Sequence, residues 1–333
     1  MTAQLVMIAL PFIFCCMLVE HYFAKRQAKY SLRSFAANLQ HAIAKQSLDI
    51  FIRALFIGCY ILLYNHFRIT NIPFHWISWV VVFLCHDFLE YWVHRAMHHF
   101  HVLWGMHLIH HSAEEMNLSV SLRHPWFSTL FNTIPLYLFA IAGVSPLMLV
   151  TISTVSFVAS FWTHTEAIPK LGWLERILIT PSLHRVHHGC NNAYLDKNFG
   201  QILSIWDQIF GTYIDETEKP VYGLTLPVHT DNPLWENLYY YAFLIKVVRR
   251  TKGIGQKMRL FLQSITKLNE RFSKQELMSL MQPENKKGEI HPQTKWRGWR
   301  ILLVGILMAS LGLVLTMMAM EDNWTTVQKI MGV

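Results

Sequence analysis

The chain has 333 residues, of which 53% are hydrophobic and only 15% are charged, and its formal net charge is +8 at pH 7. Soluble domains carry about 25% charged residues, so this balance favours a membrane protein. The five cysteines show no paired spacing, which argues against a disulfide framework or a CxxC metal site. Most of the basic excess borders apolar segments, where it orients membrane helices, so we expect no nucleic-acid partner.

Apolar segments of about the 20 residues that a bilayer crossing requires recur along the chain. The predicted crossings are 2–19, 48–66, 72–92, 126–143, 145–162 and 301–320. The sequence Ala142-Gly143-Val144-Ser145-Pro146 predicts a tight turn between the fourth and the fifth. We therefore predict an all-α integral membrane protein with about six transmembrane helices.

The basic segment 23–47 is predicted to be a cytoplasmic loop by the positive-inside rule. An even number of crossings then places 93–125 and 163–298 on the same cytoplasmic side. The predicted organisation is N-terminal transmembrane segments at 1–72, a catalytic domain at 73–230, a basic cytoplasmic region at 231–298, and a C-terminal transmembrane helix with its tail at 299–333. The membrane would be a bacterial inner membrane or the endoplasmic reticulum.

Histidine occurs 19 times, and the spacing of one subset predicts a metal site. Residues three and four apart share a helix face. This spacing defines three clusters, namely His94 with His98, His107 with His110 and His111, and His184 with His187 and His188. His164 lies at the same predicted membrane edge and completes the set of nine candidate ligands.

Nine imidazoles exceed the four ligands of a structural zinc site, so we predict two metal ions, with each cluster presenting two or three imidazoles to one ion. Together they form a histidine-rich helical cap on the cytoplasmic side. Imidazole suits iron, zinc and copper alike, so ligand type alone does not choose the metal. The sequence has no HExxH, GxSxG, P-loop or dinucleotide motif, which disfavours the enzyme classes that use them.

Neighbouring polar residues receive other predictions. His86 and Glu90 share a helical face with His94 but lie deeper in the membrane, where a structural or supporting role is expected. Asp87 is expected to orient a ligand imidazole, as carboxylates beside metal sites do. His124 remains open as either a ligand or a structural residue.

The histidine clusters lie within longer sequence blocks. These blocks include Asp87-Phe88, Tyr91-Trp92-Val93-His94, Leu103-Trp104-x2-His107, Phe161-Trp162-x-His164-Thr165-Glu166, Ser182-x-His184-Arg185-Val186-His187-His188, Asp196-Lys197-Asn198-Phe199 and Ile205-Trp206-Asp207. Across about 75–230 they resemble the fatty acid hydroxylase/sterol desaturase superfamily. Within it they are most similar to the alkylglycerol monooxygenase branch.

The resemblance implies a membrane-bound di-iron monooxygenase that uses dioxygen to hydroxylate a lipid next to its ether oxygen, which cleaves alkylglycerols. It implies two iron ions and an electron donor, either tetrahydrobiopterin or a redox protein, with the lipid substrate entering from the bilayer. The further site residues that it implies are Asp87, Tyr91, Glu166, Asp196 and Asn198.

Two alternatives stay open. The same centre could hydroxylate or desaturate a fatty acyl, ornithine-lipid or sterol carbon. A metal transporter is a different class of protein, and it predicts histidines distributed through the depth of the membrane. The clusters are instead predicted at one cytoplasmic edge, which favours the enzyme.

Overall fold

The computed structural model describes residues 2–24, 28–226, 232–262 and 274–281. Within these ranges the chain is helical, and β pairing is limited to an isolated bridge between Leu178 and Leu203. The all-α prediction is therefore confirmed for the described residues. The predicted crossing 301–320 lies outside them, as does the whole of 299–333.

The helices are short around the histidine clusters and long elsewhere. In chain order they are α1 (Thr2–Phe23), α2 (Leu32–Phe67), α3 (Trp76–His99), α4 (His101–Trp104), α5 (Leu108–His111), α6 (Ser128–Thr133), α7 (Tyr137–Ala142), α8 (Pro146–Phe161), α9 (Pro181–His187), α10 (Ile205–Ile209), α11 (Pro233–Arg250), α12 (Ile254–Leu262) and α13 (Lys274–Met281). Turns of 3-10 helix lie at Leu118–Leu122, Ile134–Leu136 and Gly172–Arg176.

The predicted loop at 23–47 is wrong from residue 32 onward, where helix α2 begins. It begins after Ser31, whose hydroxyl caps the helix by accepting a hydrogen bond from the Ser34 amide. No proline interrupts the next 36 residues, so one helix runs through residues 32–47 of the predicted loop and on through the predicted crossing 48–66. The first half of α2 buries polar side chains against the rest of the protein instead of forming a solvated loop.

Helices α2 and α3 are each long and apolar enough to cross a membrane. Only 17% and 28% of the residues in their apolar windows are buried inside the protein. Large apolar side chains such as Phe51, Leu55 and Val80 lie exposed on them. Exposed apolar surface along a helix of this length suits contact with lipid, and these features indicate a membrane protein.

The predicted crossing 126–143 is divided into α6, a 3-10 turn and α7. Pro135 lies in the 3-10 turn, and its missing amide explains why the α-helix does not continue. The tight turn is confirmed, because α7 ends at Gly143 with φ of 96° and α8 begins at Pro146. A Cβ at position 143 would lie 1.9 Å from the Thr70 carbonyl oxygen, so this turn requires glycine. Because α8 has only 16 residues, the arrangement of six crossings stays a prediction.

Candidate metal centre

Nine histidines converge where α3 ends, and they form two groups. The five-histidine group contains His94, His98, His107, His111 and His187. The four-histidine group contains His110, His164, His184 and His188. The candidate ligand atoms within each group lie within 4.8 Å of one another. The structure thus brings together all nine predicted ligands.

The division of the clusters between the two groups differs from the prediction. His107 and His111, four residues apart, share the five-histidine group, whereas His110 joins the other group. The cluster at 184–188 divides in the same way. Residues four apart on a helix differ by about 40° in direction, whereas adjacent residues differ by about 100°. Two of the three clusters therefore contribute to both groups.

The Nε2 atoms of the five-histidine group are packed too closely to be explained by hydrogen bonds. The Nε2 atom of His107 lies 3.0 Å from that of His94 and 3.1 Å from that of His111. His111 Nε2 also lies 3.1 Å from His98 Nε2. An imidazole nitrogen has either one proton or one in-plane lone pair, so it cannot bond two other nitrogens at once. Metal–nitrogen bonds of about 2.0–2.1 Å at right angles place adjacent ligand nitrogens about 3 Å apart.

The four-histidine group repeats this geometry. The Nε2 atom of His164 lies 3.1 Å from that of His110 and 2.9 Å from that of His184. His184 Nε2 is in turn 3.1 Å from His188 Nε2. Both donor sets therefore fit a bound cation better than a network of hydrogen bonds.

Backbone carbonyls hold the opposite ring nitrogen of three of these histidines. The Nδ1 pairs are His94 with Phe199 (2.8 Å), His110 with Arg123 (3.0 Å) and His187 with Lys197 (2.9 Å). Since a carbonyl only accepts, each Nδ1 carries the proton, and the Nε2 lone pair is left free. This is the arrangement by which proteins orient metal-binding imidazoles.

Burial lowers the pKa of the clustered imidazoles beyond α3, and the neighbouring imidazoles lower it further. The affected residues are His107, His110, His111, His184, His187 and His188, whose pKa values lie well below 6.5, and His164, with a pKa of about 3. At neutral pH these rings are uncharged, which is the form that binds a metal ion.

The buried carboxylate of Asp207 shapes the chain segment beside the five-histidine group. It accepts hydrogen bonds from the amides of Phe199 (2.7 Å) and Gly200 (2.8 Å) and from the hydroxyl of Thr212 (2.6 Å). This fixes the carbonyl of Phe199, which holds His94. A Cβ at position 200 would lie 2.5 Å from the Leu203 carbonyl oxygen, so the close turn requires glycine there.

Asp87 does not orient an imidazole as predicted. Its carboxylate accepts hydrogen bonds from the amides of Ile202 (3.1 Å) and Leu203 (3.2 Å) and from the indole N–H of Trp206 (2.9 Å). Asp87 therefore fastens the segment around residue 200 to α3. It acts on the metal centre only through the loop that carries Phe199.

Tyr91 and Asn198, two other predicted site residues, are buried in the framework. The Tyr91 hydroxyl accepts a hydrogen bond from Arg95 (3.0 Å) and lies 2.9 Å from the Thr212 hydroxyl. Asn198 adopts a φ of 53° and donates to the carbonyls of Leu183 (3.1 Å) and Ile214 (2.9 Å). Asparagine tolerates this left-handed conformation. Through its two hydrogen bonds, Asn198 joins α9 to the segment that contains Ile214.

Asp196 and Glu166 complete the predicted set. The Asp196 carboxylate lies 3.6 Å from His98 Nδ1, so it is placed to orient that ring. Glu166 accepts a hydrogen bond from the Tyr222 hydroxyl (3.1 Å). Among the contacts of these five residues, only that of Asp196 reaches a clustered imidazole.

Two further histidines lie near the groups but outside them. His124 stacks on His110 with ring centroids 4.7 Å apart and an interplanar angle of 10°. His86 Nε2 lies 3.0 Å from the Ser153 hydroxyl. His124 thus packs against the four-histidine group, and His86 links α3 to α8, as a structural role requires.

Glu20 is a residue that the sequence analysis missed. At the end of α1 it accepts hydrogen bonds from the hydroxyls of Thr165 and Tyr30 and from the amide of Leu118 (2.8 Å). Thr165 follows His164, so Glu20 anchors one wall of the four-histidine group. The sequence signal for Glu20 was its position as a single carboxylate directly after the uncharged segment 2–19.

Comparisons with known proteins agree with this site. Residues 79–212 match the family described as Fatty acid hydroxylase. The chain is 37% identical over 258 residues to an alkylglycerol monooxygenase of Homo sapiens, a match covering 75% of this chain and 57% of that protein. It is 35% identical over 212 residues to the alkylglycerol monooxygenase of Xenopus tropicalis, covering 63% of this chain and 47% of the relative.

A bacterial ornithine lipid hydroxylase, from Rhizobium tropici, is 35% identical over 131 residues, which cover 38% of this chain and 39% of that protein. The chain spans about half the length of the alkylglycerol monooxygenases that it matches. No solved structure matches it.

Proposed function

We propose that the protein is a membrane-bound, dioxygen-dependent lipid monooxygenase with two iron ions, because its residues 79–212 match the family described as Fatty acid hydroxylase. The observation that carries the proposal is the pair of imidazole groups, with five and four converging side chains. The relatives named above act on lipids, which supports the same class of substrate here.

Each of the two donor sets would hold one iron ion without filling six coordination positions. Five imidazoles would leave one position and four would leave two, so dioxygen could bind. When bound, the iron ions would supply the oxidising power needed to break an unactivated C–H bond. Imidazole also binds zinc and copper, so the choice of iron comes from the family and not from the ligands.

We propose an alkylglycerol as the substrate. Hydroxylation of the carbon next to the ether oxygen consumes one dioxygen, two electrons and two protons, and it releases one water. The resulting hemiacetal breaks its C–O bond to give a fatty aldehyde and free glycerol. The electrons would come from a reduced pterin, such as tetrahydrobiopterin, or from a redox protein.

Protein side chains near the five-histidine group would limit water access during this reaction. The rings of Trp104 and Phe199 lie 5.0 and 5.2 Å from the ring of His98. Their apolar faces cover the imidazoles without competing for the metal. A dry site protects a reactive oxidant from reduction by solvent-borne donors and keeps the lipid chain in an apolar environment.

A direct assay tests the reaction. Membranes containing the protein would be incubated with a labelled 1-O-alkylglycerol, dioxygen and tetrahydrobiopterin, and release of fatty aldehyde would be followed. We expect release that depends on the pterin and is abolished in His187→Ala. The matched control, His66→Ala, removes an exposed histidine of α2 and should keep full activity.

The similarity to an ornithine lipid hydroxylase favours one other substrate class. If no aldehyde forms and a new hydroxyl group appears on an endogenous acyl lipid, the proposal of an ether-lipid substrate is wrong. The proposal that the protein oxidises a lipid would then still hold. If neither product forms and the protein instead raises metal uptake into sealed vesicles, the transporter alternative replaces the enzyme.

A further inference from the structure

Helix α2 carries a buried polar stripe that the metal centre does not use. His41, Lys45 and Asp49 lie four residues apart and therefore on one face, with side chains 1%, 16% and 1% exposed. The Lys45 ammonium pairs with Asp49 and donates to the Thr129 hydroxyl at 2.7 Å. The His41 ring lies 6.4 Å from the Trp126 ring. The stripe therefore faces α6 and the segment that leads into it, and we call this contact the α2 seam.

Four polar atoms along the α2 seam have no hydrogen-bond partner within the described part of the chain. They are His41 Nδ1, Asp49 Oδ1, Trp126 Nε1 and Asn132 Oδ1. Nearly all buried polar groups in proteins are hydrogen-bonded, because an unpaired one is costly. Four unpaired atoms along one seam, two of them on side chains that are almost wholly buried, point to a polar ligand.

The chemistry of these atoms restricts the ligand. The indole N–H of Trp126 only donates, whereas the free oxygens of Asp49 and Asn132 only accept. A hydroxyl group both donates and accepts, so vicinal hydroxyls satisfy this mixture. Lys45 and Arg53 both pair with Asp49, so both cations are already engaged, and the unpaired carboxylate oxygen of Asp49 would repel an additional phosphate. The seam therefore favours an uncharged, hydroxylated ligand.

The seam also has the right position for part of a lipid substrate. His124, two residues before Trp126, stacks on His110 of the four-histidine group. In the opposite direction α2 continues from Asp49 into its apolar half, where exposed side chains such as Phe51 suit contact with lipid. A head group in the seam would lie close to the four-histidine group, which the adjoining ether carbon must reach, and close to the apolar half of α2.

We propose that the α2 seam binds the uncharged, hydroxylated head group of the lipid substrate. Asp49 and Asn132 accept hydrogen bonds from its hydroxyls, and Trp126 donates one to them. The identity of the ligand rests on the proposed lipid oxidation, and the seam adds the place where its head group is held.

Binding measurements on the full-length, metal-loaded protein in lipid nanodiscs test this site. A 1-O-alkylglycerol would be compared with an alkyl methyl ether of the same chain length that lacks hydroxyls. Trp126→Phe keeps the ring and removes the N–H, so it should reduce the preference for the alkylglycerol about tenfold, the effect of one lost hydrogen bond. Asn132→Leu, which removes an acceptor, should act in the same direction. In turnover, KM should rise by the same factor while kcat and metal content stay unchanged.

Trp173→Phe is the matched control, because Trp173 is 74% exposed and should not affect the preference. An unchanged preference in both Trp126→Phe and Asn132→Leu overturns the proposal, and it would mean that only water fills the seam. A wild-type protein without any preference for the alkylglycerol overturns it as well. If the preference exists and Trp126→Phe loses it, but no aldehyde is formed, the proposed reaction fails and the head-group site stands.

Discussion

The ring of His187 shows how tightly a single ligand candidate is constrained. Its Nδ1 donates to the Lys197 carbonyl, and its buried Nε2 has no hydrogen-bond partner among the described residues. An uncharged imidazole held at one nitrogen and free at the other is a donor aimed at a cation. The ring is also fixed by packing, because its centroid lies 4.3 Å from that of His94.

We predict that His187→Ala weakens iron binding at the five-histidine group and abolishes turnover, because the group loses a donor that no neighbouring side chain replaces. Metal analysis of protein purified after iron-supplemented expression would measure this. His124→Phe is the control: it preserves the stacking on His110 and should retain the full metal content. Full metal and full turnover in His187→Ala would contradict a metal centre at this position.

Helical spacing predicted eight of the nine converging histidines, and the predicted membrane edge added His164, but neither predicted how the histidines divide between the two groups. The helix α5 has only four residues, and His107 precedes it with φ of −134°, so helical geometry does not fix its direction. The contacts of Asp87 could not be predicted from the sequence either. Its partner amides lie 115 and 116 residues further along the chain, and such a contact leaves no local signature.

At the scale of elements, α2 shows why a charge pattern was misinterpreted. Basic residues between two apolar segments predicted a loop, yet residues 32–47 belong to a continuous helix whose polar residues His41, Lys45 and Asp49 share one face. The pattern is periodic at four residues, and this distinguishes a helix with a polar inner face from a loop. The turn at Gly143 was predictable because its chemistry is local, whereas the face buried by α2 depends on distant partners.

Glu236, near the start of α11, ties three elements together. Its carboxylate pairs with His41 of α2 and accepts hydrogen bonds from Arg123 at 3.3 Å. Burial alone would raise the pKa of Glu236, but the hydrogen bond from His41 and the charge of Arg123 outweigh burial and hold the pKa below its usual value. Such a carboxylate stabilises the fold above its unfolded-state pKa of about 4.3, and the stabilisation is lost as the pH falls through the lower folded-state value.

We therefore predict that Glu236→Gln lowers the apparent Tm at neutral pH and that its difference from wild type shrinks below about pH 4. Thermal unfolding in detergent across this range would measure the effect. Glu218→Gln, at an exposed position, should leave the profile unchanged. A difference between Glu236→Gln and wild type that stays constant from neutral to acidic pH would show that the charge of Glu236 does not stabilise the fold.

At the scale of the whole molecule, the orientation in the membrane is the main open prediction. By the positive-inside rule, the basic residues before and within α2 predict that this end of the helix lies in the cytoplasm. If α2 and α3 both cross, the turn between them faces the other side, and the metal centre at the end of α3 faces the cytoplasm.

Single cysteines in a background without the native five would test this orientation. We predict that Asn71→Cys reacts with a membrane-impermeant maleimide added from outside intact cells and that Lys252→Cys reacts only after permeabilisation. Both positions are exposed, so a lack of reaction reflects the membrane and not burial. Reaction of Lys252→Cys in intact cells would reverse the predicted sidedness.

The division of two clusters between both groups has a consequence for how the protein matures. The first ion to bind would cross-link α3, the segment around His107 and the end of α9, and it would thereby order the remaining histidines of the same short segments. The second donor set would then already be partly ordered, so binding of the second ion would carry a smaller entropic cost. We predict positive cooperativity of loading, so that native mass spectrometry at limiting iron shows mainly chains with no ion or two. Abundant chains with a single ion would contradict this coupling. Cells short of iron would then hold a mixture of fully loaded and metal-free protein, and the metal-free fraction would be the one exposed to proteolysis.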